Sequence, residues 1–172
     1  MRRFASVFPF AETGTRQRAI GRLVANHDFV RALLRHGTFD DYLFSNPSAT
    51  NLRAFEAMAA PWAPRGRVSF VNYPDLPAAL ESAPPDVVYL GGWGYFMPGL
   101  HYVRTRLRQH RWPMAGMVFS LNGRDVVDHA VRLNRAGLRE SDAIFCLSQD
   151  GTIAMRRLLD ATAAVAGRRF RG

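Results

Sequence analysis

The sequence predicts a three-layer α/β/α domain whose mainly parallel sheet has six or seven strands. Short β-rich runs alternate with helical patterns along the whole chain, which is the signature of repeated βαβ units. Several of the runs are apolar on both faces, as buried parallel strands are. Closely spaced turn signals, the mark of hairpins, do not separate them. Right-handed crossovers then make a doubly wound, Rossmann-like sheet, most simply in the strand order 3-2-1-4-5-6.

The elements follow in chain order. A first strand over Ser6 to Phe10 stops at the small polar turn Glu12-Thr13-Gly14-Thr15. Ile20, Leu23, Val24, His27, Val30, Leu33 and Leu34 then recur on one helical face, and Gly37 ends that helix. His27 interrupts the apolar face and reads as a hydrogen-bonded core residue. A second strand spans Asp41 to Ser45, with Asp40 and Asp41 expected as solvated turn carboxylates at its amino end. Further strands are expected at Val68 to Asn72, Val87 to Leu90, Ala115 to Ser120 and Ala143 to Leu147. Helices fill the intervals at Ser48 to Ala60, Leu76 to Ser82, Pro98 to His110, Val126 to Arg139 and Thr152 to Ala166, with Pro and Gly punctuating their ends. The expected organisation is one domain over residues 1–166 and an arginine-rich, frayed tail over 167–172.

Composition narrows the classes. A chain of 172 residues with 48% hydrophobic and 12% aromatic content can bury an ordinary core. It has no apolar run of the roughly 18 residues that a membrane span needs. The apolar run after Arg2-Arg3 is cut by Glu12 before a signal-peptide core develops, so a cytoplasmic, unexported protein is expected. The single cysteine, Cys146, lies in an apolar run and reads as a buried, inert thiol. Every one of the 23 basic residues behind the net charge of +9 is arginine. That exclusivity points to compositional bias rather than to a nucleic-acid surface, and no nucleic-acid partner is expected. Arg104, Arg108 and Arg111 would share one helix face, read as solvated.

In a doubly wound sheet, ligands bind outside the carboxyl ends of the strands where the order reverses, here between strands 1 and 4. The loops converging there supply the candidate binding residues Glu12, Thr13, Gly14, Gly92, Trp93, Ser120, Asn122 and Ser148. Gly14 permits close backbone approach and the helix start offers free N–H groups, suited to a phosphate or a sugar hydroxyl. In "YLGGWGYFMPG" the glycines open the backbone while Trp93, Tyr95 and Phe96 either offer flat surface to a sugar or base, or pack under a neighbouring helix. Asn122, Arg124 and Ser148 also suit helix caps. The G-x-S-x-G elbow, the phosphate-binding G-x-x-x-x-G-K-[ST] loop and zinc-spaced histidine pairs are all absent from the sequence.

Three stretches, "FPFAETGTRQRAIGRLVANHDFVRALLRHGTFDDYLF", "RWPMAGMVFSLNG" and "SDAIFCLSQDGTIAMRRLL", together resemble the N-terminal Rossmann-like domain of retaining GT-B glycosyltransferases of the family 4 type. The resemblance implies an acceptor-side domain, with a nucleotide-sugar donor held by a second Rossmann-like domain that would be its partner and that nothing in these residues matches. It implies no cofactor in this chain and no metal. Glu12, Thr13 and Gly14 match the family's first loop, Ser120 and Asn122 its fifth-strand edge, and Ser148 its sixth. Phe119 stands where relatives commonly carry histidine, in "P-M-A-G-M-V-F-S".

The function expected from this resemblance is transfer of a sugar to an acceptor hydroxyl, with no turnover by this chain alone. The alternative is a non-catalytic binding or interaction module on the same half-fold. Either reading leaves an apolar carboxyl-edge face and self-association through it as an expectation.

Overall fold

The computed structural model describes residues 1–7, 21–62, 65–94, 96–107, 111–121 and 123–169. It is an α/β fold with a six-stranded parallel sheet in the order β3-β2-β1-β4-β5-β6, flanked by helices. The expected strand order is therefore the one observed. The chain divides into two compact units, one of residues 1–91 and 107–112, the other of 92–106 and 113–172.

The first unit runs β1 (Arg3–Val7), α1 (Gly21–His36), β2 (Asp41–Asn46), α2 (Ala49–Ala59), β3 (Arg67–Asn72), α3 (Leu76–Ser82) and β4 (Val87–Leu90). Single 3₁₀ turns, Ala60–Trp62 and Tyr73–Asp75, precede β3 and α3. β1 pairs in parallel with β2 and β4, and β2 with β3. All residues of β1 and β2 are buried, as central strands covered on both faces must be. An aromatic cluster fills this core: Phe44 meets Phe55 edge-on at 5.2 Å and stacks with Phe70 at 6.0 Å, and Phe4 lies 6.2 Å from Tyr89. Burial pushes the Tyr89 hydroxyl up to about 12.

Two expectations change here. β1 begins at Arg3 rather than at the expected Ser6, because the charged residue that opens it has an acidic partner on the neighbouring strand. The Arg3 guanidinium pairs with Asp41 at 2.7 Å and also donates to the Ala83 carbonyl, while the Arg3 N–H donates to Asp86. Residues 8–20, which include the rest of the expected strand, lie outside the described residues. Asp41, in turn, is no solvated turn residue. It is 1% exposed and takes both Arg3 and, at 3.1 Å, Arg67. Arginine partners at both strand neighbours are what let a carboxylate sit there.

The core face of α1 differs from the expected one in its first turns. Val30 and Leu34 are buried as expected, but Val24 is 48% exposed and Asn26 is buried in its place. His27 is half-buried at the edge, its ring edge-on to Trp62 at 5.2 Å. Gly37 closes the helix, its N–H donating to the Leu33 carbonyl at 2.7 Å, and a Cβ there would collide with that oxygen and with the Tyr42 hydroxyl.

The second unit runs α4 (Met97–Arg106), β5 (Met114–Val118), α5 (Val126–Ala136), β6 (Ala143–Cys146) and α6 (Gln149–Arg169). β5 and β6 pair in parallel from Ala115 opposite Ala143. Gly137 caps α5 with φ 68°, the left-handed conformation glycine adopts without a Cβ penalty. Asn134 of α5 ties to α6, donating to the Leu159 carbonyl at 2.9 Å and to Thr162 Oγ1 at 2.7 Å. α6 begins three residues before and ends three residues beyond the expected Thr152 to Ala166.

Arg104 corrects the expected solvated stripe. α4 ends at Arg106, so Arg111 falls outside the helix, and Arg108 lies outside the described residues. Arg104 itself is fully buried and binds Asp142 through two parallel bonds of 2.7 Å. Asp142 also accepts from the Met114 N–H at 2.8 Å and the Arg139 N–H at 2.9 Å. One carboxylate thus joins the start of β5, the approach to β6 and α4.

Candidate functional site

In the first unit, the strand β4 ends at a carbonyl that α1 holds in place. Asn26 donates to the Gly91 carbonyl at 2.9 Å and accepts from the Tyr89 hydroxyl at 3.2 Å, and all three groups are buried. A buried amide with both ends used is a positioning element rather than a ligand group. Nothing in the sequence marks Asn26 as inward, because an asparagine two residues after the apolar Val24 looks like part of the solvated face.

The glycine loop continues in the second unit. Gly92 has open space where a Cβ would stand. Gly94 does not: a Cβ there would lie 2.5 Å from the His129 ring and 2.7 Å from its Cβ. Trp93 is 5% exposed and meets the same His129 edge-on at 5.9 Å. Its ring is thus packed inward under α5, the second of the two placements open to it from sequence, and offers no broad open face. Gly94→Ala should therefore cost about 1–3 kcal/mol, since the loop backbone itself must move off the His129 Cβ, while Gly92→Ala should be near neutral. Chemical denaturation of the two variants checks this, and equal stabilities would refute it.

The carboxyl ends of β5 and β6, with the first two turns of α6, enclose an open cleft of about 330 Å³. Phe119 and Ser120 line it after β5, Leu147 and Ser148 after β6, and Asp150 and Ala154 from α6. Cys146 lines it too and is half-buried, so it is not the buried thiol expected. Ser148 is the N-cap of α6: its Oγ accepts from the Gly151 N–H at 3.0 Å and its carbonyl from the Thr152 N–H at 3.0 Å. The hydroxyl proton of Ser148 is left to donate elsewhere.

Of the expected site residues, Ser120 and Ser148 come together in this cleft. Gly92 and Trp93 do not line it, and Glu12, Thr13, Gly14 and Asn122 lie outside the described residues. Asp150 is the addition. Its carboxylate sits in the first turn of α6, where the helix dipole favours negative charge. That same charge repels a phosphate from this helix start, so the cleft favours a neutral hydroxylated group over an anion. Each of the three elements contributes both kinds of surface, Phe119 with Ser120, Leu147 with Ser148 and Ala154 with Asp150, so the lining mixes hydroxyl and carboxylate groups with apolar side chains.

No helix among the described residues is long and apolar enough to cross a membrane, and none of their His, Cys, Asp or Glu residues form a group of three or more suited to a metal. The chain matches no protein-family profile and no curated protein.

Proposed function

We propose that this chain is the acceptor-side domain of a glycosyltransferase, similar to the N-terminal half of retaining GT-B enzymes, and that it holds a hydroxylated acceptor in the cleft after β5 and β6. The observation that supports the reading is the cleft's lining, with Ser120, Ser148 and Asp150 beside Phe119 and Leu147 at the carboxyl edge of a doubly wound sheet. Position 119, where the resembled family carries histidine, lines the same cleft. A nucleotide-sugar donor would be gripped by a second domain. Retaining transfer needs donor and acceptor aligned from two sides, so the 172-residue chain is expected to bind acceptor without turnover.

Exposed apolar side chains near the cleft fit a face that another domain covers: Leu147 is 66% exposed, Phe145 52% and Ile153 45%. The same exposure, with phenylalanine at 119, favours a second reading, a non-catalytic binding module on the half-fold.

Calorimetry with a panel of simple glycosides and nucleotide sugars, paired with a transfer assay on this chain and on any longer natural form, separates them. Glycosides should bind this chain, and Asp150→Ala should weaken them about tenfold, the loss of a hydrogen bond to a charged group. Nucleotide sugars should bind weakly or not at all. Glycoside binding untouched by Asp150→Ala and Ser148→Ala would remove the cleft from consideration. Turnover by this chain alone would overturn the acceptor-side reading, and silence from every form would leave the binding module.

A further inference from the structure

We infer that the groove between α4 and α5 is a docking surface for an acidic segment of a partner protein. The groove has a volume of about 430 Å³ and is lined by Pro98, His101, Tyr102 and Thr105 of α4 and by Arg132 and Arg135 of α5. It shares no lining residue with the cleft after β5 and β6 and owes nothing to the glycosyltransferase reading.

Its chemistry is one-sided. None of the lining residues is acidic, and Arg132 has no ion-pair or hydrogen-bond partner among the described residues. On the α4 rim, Tyr102 is 58% exposed, and the Arg106 guanidinium lies over its ring at 4.6 Å. That contact pre-orders a cation against a side chain that lines the groove. His101 contributes little charge, since burial and the neighbouring Arg104 guanidinium lower its pKa.

The bland account is that arginines in the last turns of two helices offset the helix dipoles. It explains Arg106 and Arg135 and leaves a tyrosine more than half in water with an arginine held across it. Tyrosine and arginine are the residue types enriched where protein partners dock, and guanidinium groups take carboxylates through paired hydrogen bonds. The open shape suits side chains of a docked segment better than a small molecule, which needs enclosure on most sides. A nucleic acid or an anionic membrane would call for a longer basic track than this bounded groove provides.

The test is fluorescence anisotropy of a labelled polyglutamate peptide at physiological salt, run on the whole chain. The charge reversal R132E/R135E should weaken binding about tenfold, as the loss of anchoring arginines does, and Tyr102→Ala should weaken it as well. The matched reversal R156E/R157E, on exposed arginines of α6, changes the net charge equally and should leave affinity within about twofold. Far-UV circular dichroism confirms that each variant is folded. Equal losses from the two arginine pairs would reduce the effect to overall charge and overturn the proposal. So would failure of the native chain to bind polyglutamate, or tighter binding of polyuridylate or phosphatidylglycerol vesicles through the same groove residues.

Discussion

Asp142→Ala should destabilise the protein by about 3–5 kcal/mol, the range for removing one partner of a buried ion pair. Asp142 and Arg104 have no exposed side-chain surface, and their two bonds of 2.7 Å are accompanied by the Met114 and Arg139 N–H groups. Truncation leaves a guanidinium and two backbone donors without their acceptor. This distinguishes the pair from ion pairs that tolerate replacement by apolar residues of equal size. The double variant Arg104→Met/Asp142→Leu removes both charges yet still orphans the two N–H groups, so it should remain less stable than the native chain by about 1–3 kcal/mol. Urea unfolding followed by far-UV circular dichroism measures both, and an Asp142→Ala value under about 1 kcal/mol would refute the account.

The pair also fixes a pH dependence. Burial alone would raise the Asp142 pKa, but the Arg104 guanidinium, with the N–H groups of Arg139 and Met114, outweighs it and holds the carboxyl below its ordinary value. The folded state therefore binds fewer protons than the unfolded state near that value. The stabilisation is fully present above the unfolded carboxyl pKa of about 3.9 and is lost as pH falls through the lower folded value. The stability gap between the native chain and Asp142→Ala should accordingly narrow in acid, below about pH 4.

Neither half of this pair could be read in the sequence, and the reason is general. Arg104, three residues from Leu107 and four from Arg108, reads as one more basic position on a polar helix face. Its partner is 38 residues away, brought to it by the pairing of β5 with β6. The same holds for Asp41: an aspartate beside Asp40 at a strand start looks solvated until Arg3 and Arg67 are placed on the neighbouring strands. The alternation of strand and helix needed no such knowledge. Val87 to Leu90 is apolar throughout and bounded by "APPD" and two glycines, and β4 has those limits.

The site divides along the same line. Ser148 was legible because a small polar residue directly after an apolar run marks a helix cap wherever the strand ends. The distinction between Gly92 and Gly94 was not, since only the position of His129 on α5 tells which glycine lacks room for a Cβ. Asp150 was hidden by its ordinary place in a helix first turn, and its meaning comes from the cleft that Phe119 and Leu147 form beside it.

Phe44→Ala is the second large effect, expected at about 3–5 kcal/mol. Phe44 has no exposed surface, pairs in register with Phe70 across β2 and β3, and meets Phe55 edge-on and Phe4 at 6.4 Å. Its removal forfeits the transfer energy of the ring and leaves a void lined by other rings, whose fixed rotamers let the site collapse only in part. Phe44→Leu, which refills much of that volume, should recover more than half of the loss. The control is the same residue type with the opposite setting. Phe145, at 52% exposure on β6, has little burial to lose, and Phe145→Ala should cost under about 1 kcal/mol. Urea midpoints at unchanged slope give all three values, and the near-ultraviolet aromatic signal should fall for Phe44→Ala alone. Similar costs for Phe44→Ala and Phe145→Ala would mean that ring burial does not set the stability of this core, and the aromatic cluster would then have to be read as filling space without anchoring it.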